Sequence, residues 1–73
     1  MEPGTRILND NGTTYTVMER RGPDTLLSYE TPHGLHYVIA WRLYRLDNNR
    51  FVWQQGYYFC ENLAAAQRVM ITR

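Results

Sequence analysis

The chain predicts an α+β fold: a twisted antiparallel β-meander of four or five strands with one C-terminal helix packed on one face. Three observations carry this reading. Leu35–Leu43 and Arg50–Phe59 alternate with period two, apolar at Leu35, Tyr37, Ile39, Trp41 and Leu43 and again at Phe51, Trp53, Tyr57 and Phe59; that period marks strands with one buried face. Clusters of Asn, Asp, Gly and Pro separate the β-prone runs. After Phe59 the apolar residues take up a helical spacing. At 73 residues a single domain, 1–73, holds both parts: sheet over 5–59, helix over 61–72.

The elements follow in order. Met1–Gly4 is a short arm and Thr5–Leu8 a brief β-prone run. Asn9-Asp10-Asn11-Gly12 is the strongest turn signal. Thr13–Arg20 is rich in β-branched and aromatic residues, with Tyr15 and Val17 on one side. Gly22-Pro23 breaks it, since glycine permits positive φ and proline donates no ladder hydrogen bond. Thr25–Glu30 is the next strand. Thr31-Pro32-His33-Gly34 has proline second and glycine fourth, as a type I turn favours. Leu35–Phe59 then forms a long hairpin. A three-residue loop, Asp47–Asn49, sets Leu46 opposite Arg50, Leu43 opposite Trp53, Ile39 opposite Tyr57 and Tyr37 opposite Phe59. This loop asks Asn49 for a left-handed conformation. With Val17 opposite Leu27 and Leu27 opposite Ile39, every odd position from Tyr15 to Phe59 shares one face. Glu61–Arg73 reads as a helix, with Leu63, Ala66 and Met70 on its inner stripe, Asn62 or Glu61 at its start, and Arg68 and Arg73 toward its end. About 11 residues of helix need tertiary packing to persist, so the stripe packs on the odd face.

Composition bounds the function. A domain this small buries only about 60 % of its unfolded surface, and the one cysteine, Cys60, forms no intrachain disulfide. Dense aromatic packing or self-association must compensate. The net charge of +1 gives a weak overall field. All eight basic residues are arginine, the side chain suited to bidentate and stacked contacts. The start of the chain lacks a basic, apolar export signal, and no apolar run approaches the ~20 residues of a membrane helix. With a lone cysteine, these features point to a cytoplasmic setting.

His33 and His36 have an H-x-x-H spacing but sit across a turn and a strand start, with Glu30 the only nearby carboxylate, so exposed turn histidines are the preferred reading over a metal site. Cys60 precedes the helix and lies near His36 across the hairpin, yet no acyl-transfer motif surrounds it, and a structural cysteine is favoured over a nucleophile. No phosphate loop, triad or carboxylate pair is present, and no cofactor is expected. If odd positions face the helix, the even face presents Arg20, Arg42, Tyr44, Gln54 and Tyr58. Such a face suits a protein interface and, secondarily, stacking of single-stranded bases; its plain alternative is a half-solvated sheet face.

The C-terminal third, Phe51-Val52-Trp53, Gly56-Tyr57-Tyr58-Phe59 and then Ala66, Met70 and Arg73, resembles small accessory domains encoded by conjugative transposons and prophages of gut bacteria. There a G-x-Y-F strand end precedes a short A-x-x-x-F-x-x-R helix; here Met70 stands at the aromatic position. The resemblance implies a mobile-element setting and carries no functional residue. The function expected is a non-enzymatic binding or adaptor module, homodimeric through the open sheet face or an edge strand. Its partner is a protein or a second copy, with no membrane role, and a nucleic-acid-binding accessory protein is the alternative.

Overall fold

The computed structural model describes residues 1–73. The strands are β1 (Arg6–Leu8), β2 (Thr14–Arg21), β3 (Asp24–Thr31), β4 (Gly34–Trp41), β5 (Tyr44–Arg45), β6 (Phe51–Val52) and β7 (Gln55–Cys60), followed by helix α1 (Leu63–Thr72). Five of the strands form one antiparallel sheet in the order β1-β2-β3-β4-β7, and β5 and β6 form a separate two-stranded ribbon. The class is α+β with a meander, as the periodicity predicts.

The turns follow their residues. Gly22 has φ +56°, and Pro23 follows it in a two-residue loop that closes Arg21 onto Asp24; glycine first is what a type II′ hairpin turn requires. At the next corner Thr31 Oγ1 donates to Gly34 O at 2.8 Å and accepts from His33 N–H at 3.1 Å. At the ribbon tip Asn49 takes φ +65°, and Leu46 N–H donates to Arg50 O at 2.7 Å. Tyr37 meets Phe59, Ile39 meets Tyr57 and Tyr44 meets Val52. The three-residue loop and the hairpin register are therefore those the sequence implies.

The shared odd face is overturned. Val17 does pair with Leu27, but Leu27 pairs with Val38, and Ile39 pairs with Leu26. The loop at Pro32-His33 has two residues, since Thr31 pairs with Gly34, and this slip of one position exchanges the faces between β3 and β4. A bulge at Met18 shifts β2 against β3 as well. Even residues therefore alternate in role: Leu26 faces the helix and Val38 the opposite side.

The open face is overturned with it. One side of the sheet carries Leu26, Tyr37 and Ile39 under Ala66 and Met70 of α1, with Met18, Tyr57, Phe59, Leu63 and Val69 around them. The other side carries Tyr15, Val17, Leu27, Val38 and Ala40, covered by Leu43, Phe51 and Trp53 from the ribbon. Asp24–Leu27 and Tyr37–Ala40 are consequently buried without a break. Each fully buried Val, Leu or Ile here contributes on the order of 1.5–3 kcal/mol.

The ribbon reaches that side because the hairpin folds at Arg42, whose φ is +57°. The Arg42 N–H donates to Pro23 O at 2.9 Å, and Gln54 N–H to Trp41 O at 3.0 Å. At its far end Asn9 Nδ2 donates to Phe51 O at 2.7 Å, tying β6 to the end of β1. The helix starts at Asn62, whose Oδ1 accepts the Ala65 N–H at 3.0 Å, and it runs 63–72 rather than from residue 61 because Glu61 is held at φ +55°.

Candidate functional site

The Gly22-Pro23 turn brings together residues that are far apart in sequence. Asp24 pairs with Trp41, and Trp41 with Gln55, so the turn end of β2–β3 lies beside the point where the hairpin leaves the sheet. The C-terminus of α1 arrives at the same place. Arg73 Nε lies 2.8 Å from Asp24 Oδ2 and Nη2 3.2 Å from Oδ1, a bidentate pair of the kind a planar guanidinium makes. Its Cζ sits 4.3 Å over the Tyr57 ring. The hydrogen bond to Asp24 holds the Arg73 guanidinium above its ordinary pKa. Asp24 itself is only 6 % exposed, and a charge so placed needs its partner.

Around this pair runs a cleft of about 550 Å³, lined by Arg21, Pro23, Asp24, Trp41, Ile71 and Arg73, with Gly22 and Met70 completing it. Arg42 Cζ stacks 4.6 Å over the Trp41 ring. Arg21 Nε lies 2.6 Å from Glu19 Oε2 in an exposed pair, which binds it weakly. Arg20 and Arg42 pair with no carboxylate. Four arginines thus gather at one end of the sheet against two carboxylates. Asp10, Glu30 and Glu61 lie at the opposite end, where Glu61 abuts Gly34. The Ile71 side chain stands beside the cleft 63 % exposed.

Of the five residues the sequence singles out, three lie at this end of the sheet, and none of them lines the cleft. Arg20 pairs with Thr25 one residue from the turn, and Arg42 and Gln54 both bond to backbone at the hinge. Tyr44 lies apart, exposed in the ribbon opposite Val52. Tyr58 lies opposite Val38 on the ribbon-covered side and is 59 % exposed. The common sheet face expected for them does not form, because the ribbon occupies it. Trp41, Asp24 and Arg73 are the site residues the sequence reading misses. A Gly-Pro turn read as a two-residue loop would have set Arg21 opposite Asp24 and exposed the connection.

Across the ribbon-covered side runs an aromatic row. Trp53 meets Tyr15 edge-on at 5.1 Å, Tyr15 meets Tyr29 at 5.0 Å, and Tyr29 meets His36 at 5.8 Å. Burial pushes the Tyr15 and Tyr29 phenols above their ordinary pKa, against a smaller opposing effect of the Asn11 hydrogen bond on Tyr15. The register sets His36 opposite Cys60, whose thiol is exposed. No cluster of three or more His, Cys, Asp or Glu side chains is arranged to hold a metal ion, and no helix is long and apolar enough to cross a membrane. No protein-family model, curated protein or solved structure is significantly similar to the chain.

Proposed function

We propose that the protein is a non-enzymatic binding module whose cleft at the Gly22-Pro23 turn takes an acidic segment of a protein partner. The observation that supports this reading is the combination in one cleft of an apolar wall, Trp41, Met70 and Ile71, with the cations Arg21 and Arg73, and with Arg42 stacked on the Trp41 ring beside it. A carboxylate next to an aliphatic or aromatic side chain meets both requirements at once. Trp and Arg are also the residue types that most often dominate binding energy at protein interfaces. A mobile-element setting is proposed with it, on the resemblance of the C-terminal third alone.

The nucleic-acid alternative draws on the same four arginines. It is disfavoured by the packing of Trp53, Tyr15 and Tyr29 against one another on the ribbon side, which takes those rings out of an open stacking face. Binding of labelled acidic peptides and of single- and double-stranded oligonucleotides across a salt series separates the two. The module reading expects a peptide to bind, with affinity lost on Trp41→Ala or Arg42→Ala. Oligonucleotide binding whose log affinity falls by roughly 0.7–0.9 per phosphate contact with log salt, in the absence of peptide binding, would overturn it.

A further inference from the structure

The two edges of the sheet are unlike. At one edge β1 has three residues, and Asn9, just beyond it, is bonded to the ribbon. Short edges with their ends tied offer little to an incoming strand. At the other edge β7 has six residues, Gln-Gly-Tyr-Tyr-Phe-Cys, with no proline or bulge. No charged residue occurs anywhere from Phe51 to Cys60. The helix covers the face of β7 through Tyr57 and Phe59, not its outer edge, which ends the strand order. The devices by which proteins block an open edge, namely charge, proline, bulge and shortness, are all missing here.

We infer that β7 pairs antiparallel with β7 of a second copy, joining two five-stranded sheets across a two-fold axis. Charge selects this occupant and this direction. The Gln55 end of β7 lies at the arginine-rich end of the sheet, beside Trp41 and Arg42, and its other end runs into Glu61. Antiparallel pairing sets the Glu61 end of each copy against the arginine end of the other; parallel pairing would set like ends together. Symmetry then limits the register. The axis stands perpendicular to the joined sheet, so opposed residues share a face and one residue meets its own copy. With Tyr58 on the axis, Tyr57 opposes Phe59 and Gly56 opposes Cys60, which uses five of the six residues of the strand, and Gln55 lies toward the Glu61 end of the other copy. Two exposed Tyr58 rings meet on the ribbon side, and two Tyr57–Phe59 aromatic pairs meet on the helix side.

The inference stands apart from the cleft, since neither Arg21 nor Arg73 is on the strand. Its test is the solution mass of the full chain, by sedimentation equilibrium from micromolar to millimolar concentration. A mass of twice 8.7 kDa is expected, with Tyr58→Lys shifting the dissociation constant at least tenfold upward while the far-ultraviolet spectrum stays unchanged. In a Cys60→Ser background, Tyr58→Cys should form an interchain disulfide on mild oxidation and Gln55→Cys should not. A single-chain mass throughout the range overturns the inference. So does a dimer indifferent to Tyr58→Lys, which would put the interface elsewhere.

Discussion

One sheet is covered in two ways. On one face lies a ten-residue helix, set down through Ala66 and Met70 and locked at its end by the Arg73–Asp24 pair. On the other lies a ribbon of four paired residues, held by Leu43, Phe51 and Trp53 and by hydrogen bonds from Asn9 Nδ2 to Phe51 O and from Arg50 Nη1 to Asp10 O. The helix satisfies its own backbone and brings a continuous apolar stripe. The ribbon is an outgrowth of the hairpin it shields, and it reaches its place only through the left-handed turn at Arg42. A chain too short for a third layer of independent elements has buried the second face of its sheet by folding part of that sheet back. The difference teaches that the helix cover is cooperative with the whole fold, whereas the ribbon is the part able to open by itself.

The largest effect should follow from emptying the helix side. Met70→Ala removes a buried side chain between α1 and the sheet and should cost about 2–5 kcal/mol. That is a large share of the roughly 5–15 kcal/mol of a typical domain. Leu43→Ala, the matching change under the ribbon, should cost about 2 kcal/mol at most, because the ribbon relaxes or lifts. Urea melts give both losses, and amide exchange shows where opening occurs. Faster exchange confined to Tyr44–Val52 in Leu43→Ala supports the contrast. Equal global losses with uniform exchange would erase it.

Next in size is Gly56→Ala. A Cβ there would lie 2.9 Å from Trp53 Nε1 and 2.9 Å from the Tyr58 ring, so the indole must move. Overpacking of this kind costs about 1–3 kcal/mol. The signature should be a change in Trp53 fluorescence with the helix content unaltered. Loss of helix content at the same midpoint would mean that the two covers do not act separately.

These two sites also mark what was legible in the sequence. The helix was, because its stripe is local and Asn62 announces its start. The strands and the Asp47–Asn49 loop were, because period and turn chemistry agree there. The assignment of faces was not. It hinged on whether Thr31–Gly34 closed in two residues or three, a matter of backbone geometry that leaves no trace in the pattern of apolar residues. The Met18 bulge and the fold at Arg42 were hidden for the same reason. An arginine gives no warning of a positive φ as a glycine would. With every odd position on one face, Arg20, Arg42, Tyr44, Gln54 and Tyr58 read as one surface. Trp41 reads as core and Arg73 as a helix-end cation in the sequence, although both line the cleft.

Alkaline pH should sharpen the comparison further, with a smaller effect. Tyr15 and Tyr29 lie on the ribbon side, and burial raises both phenols above the usual value of 10.0. The folded chain therefore keeps these protons where the unfolded chain has lost them. Their contribution is fully present below about pH 10 and disappears as pH rises through the folded values. Urea midpoints should fall above pH 10, with the ribbon side exchanging first, and Tyr15→Phe should flatten the fall. A decline of unchanged steepness in Tyr15→Phe would remove the phenol from the explanation.

The smallest change in stability and the most telling change in binding should come together at Arg42. Its φ of +57° costs a non-glycine residue about 1–2 kcal/mol, and its stacking on Trp41 returns about 0.5–1 kcal/mol at an exposed site. Glycine relieves the first, forfeits the second, and adds freedom to the unfolded chain worth a further 0.5–1 kcal/mol or so. Arg42→Gly should therefore leave the unfolding free energy within about 1 kcal/mol of the parent. Its hinge should persist, because the hydrogen bonds to Pro23 O and Trp41 O are backbone bonds that the substitution leaves in place. If arginine is kept at a strained position for its guanidinium, capture of an acidic peptide should weaken severalfold in the same variant. A variant that keeps full peptide affinity would make Arg42 a hinge residue only, and the cleft would have to work through Arg21 and Arg73.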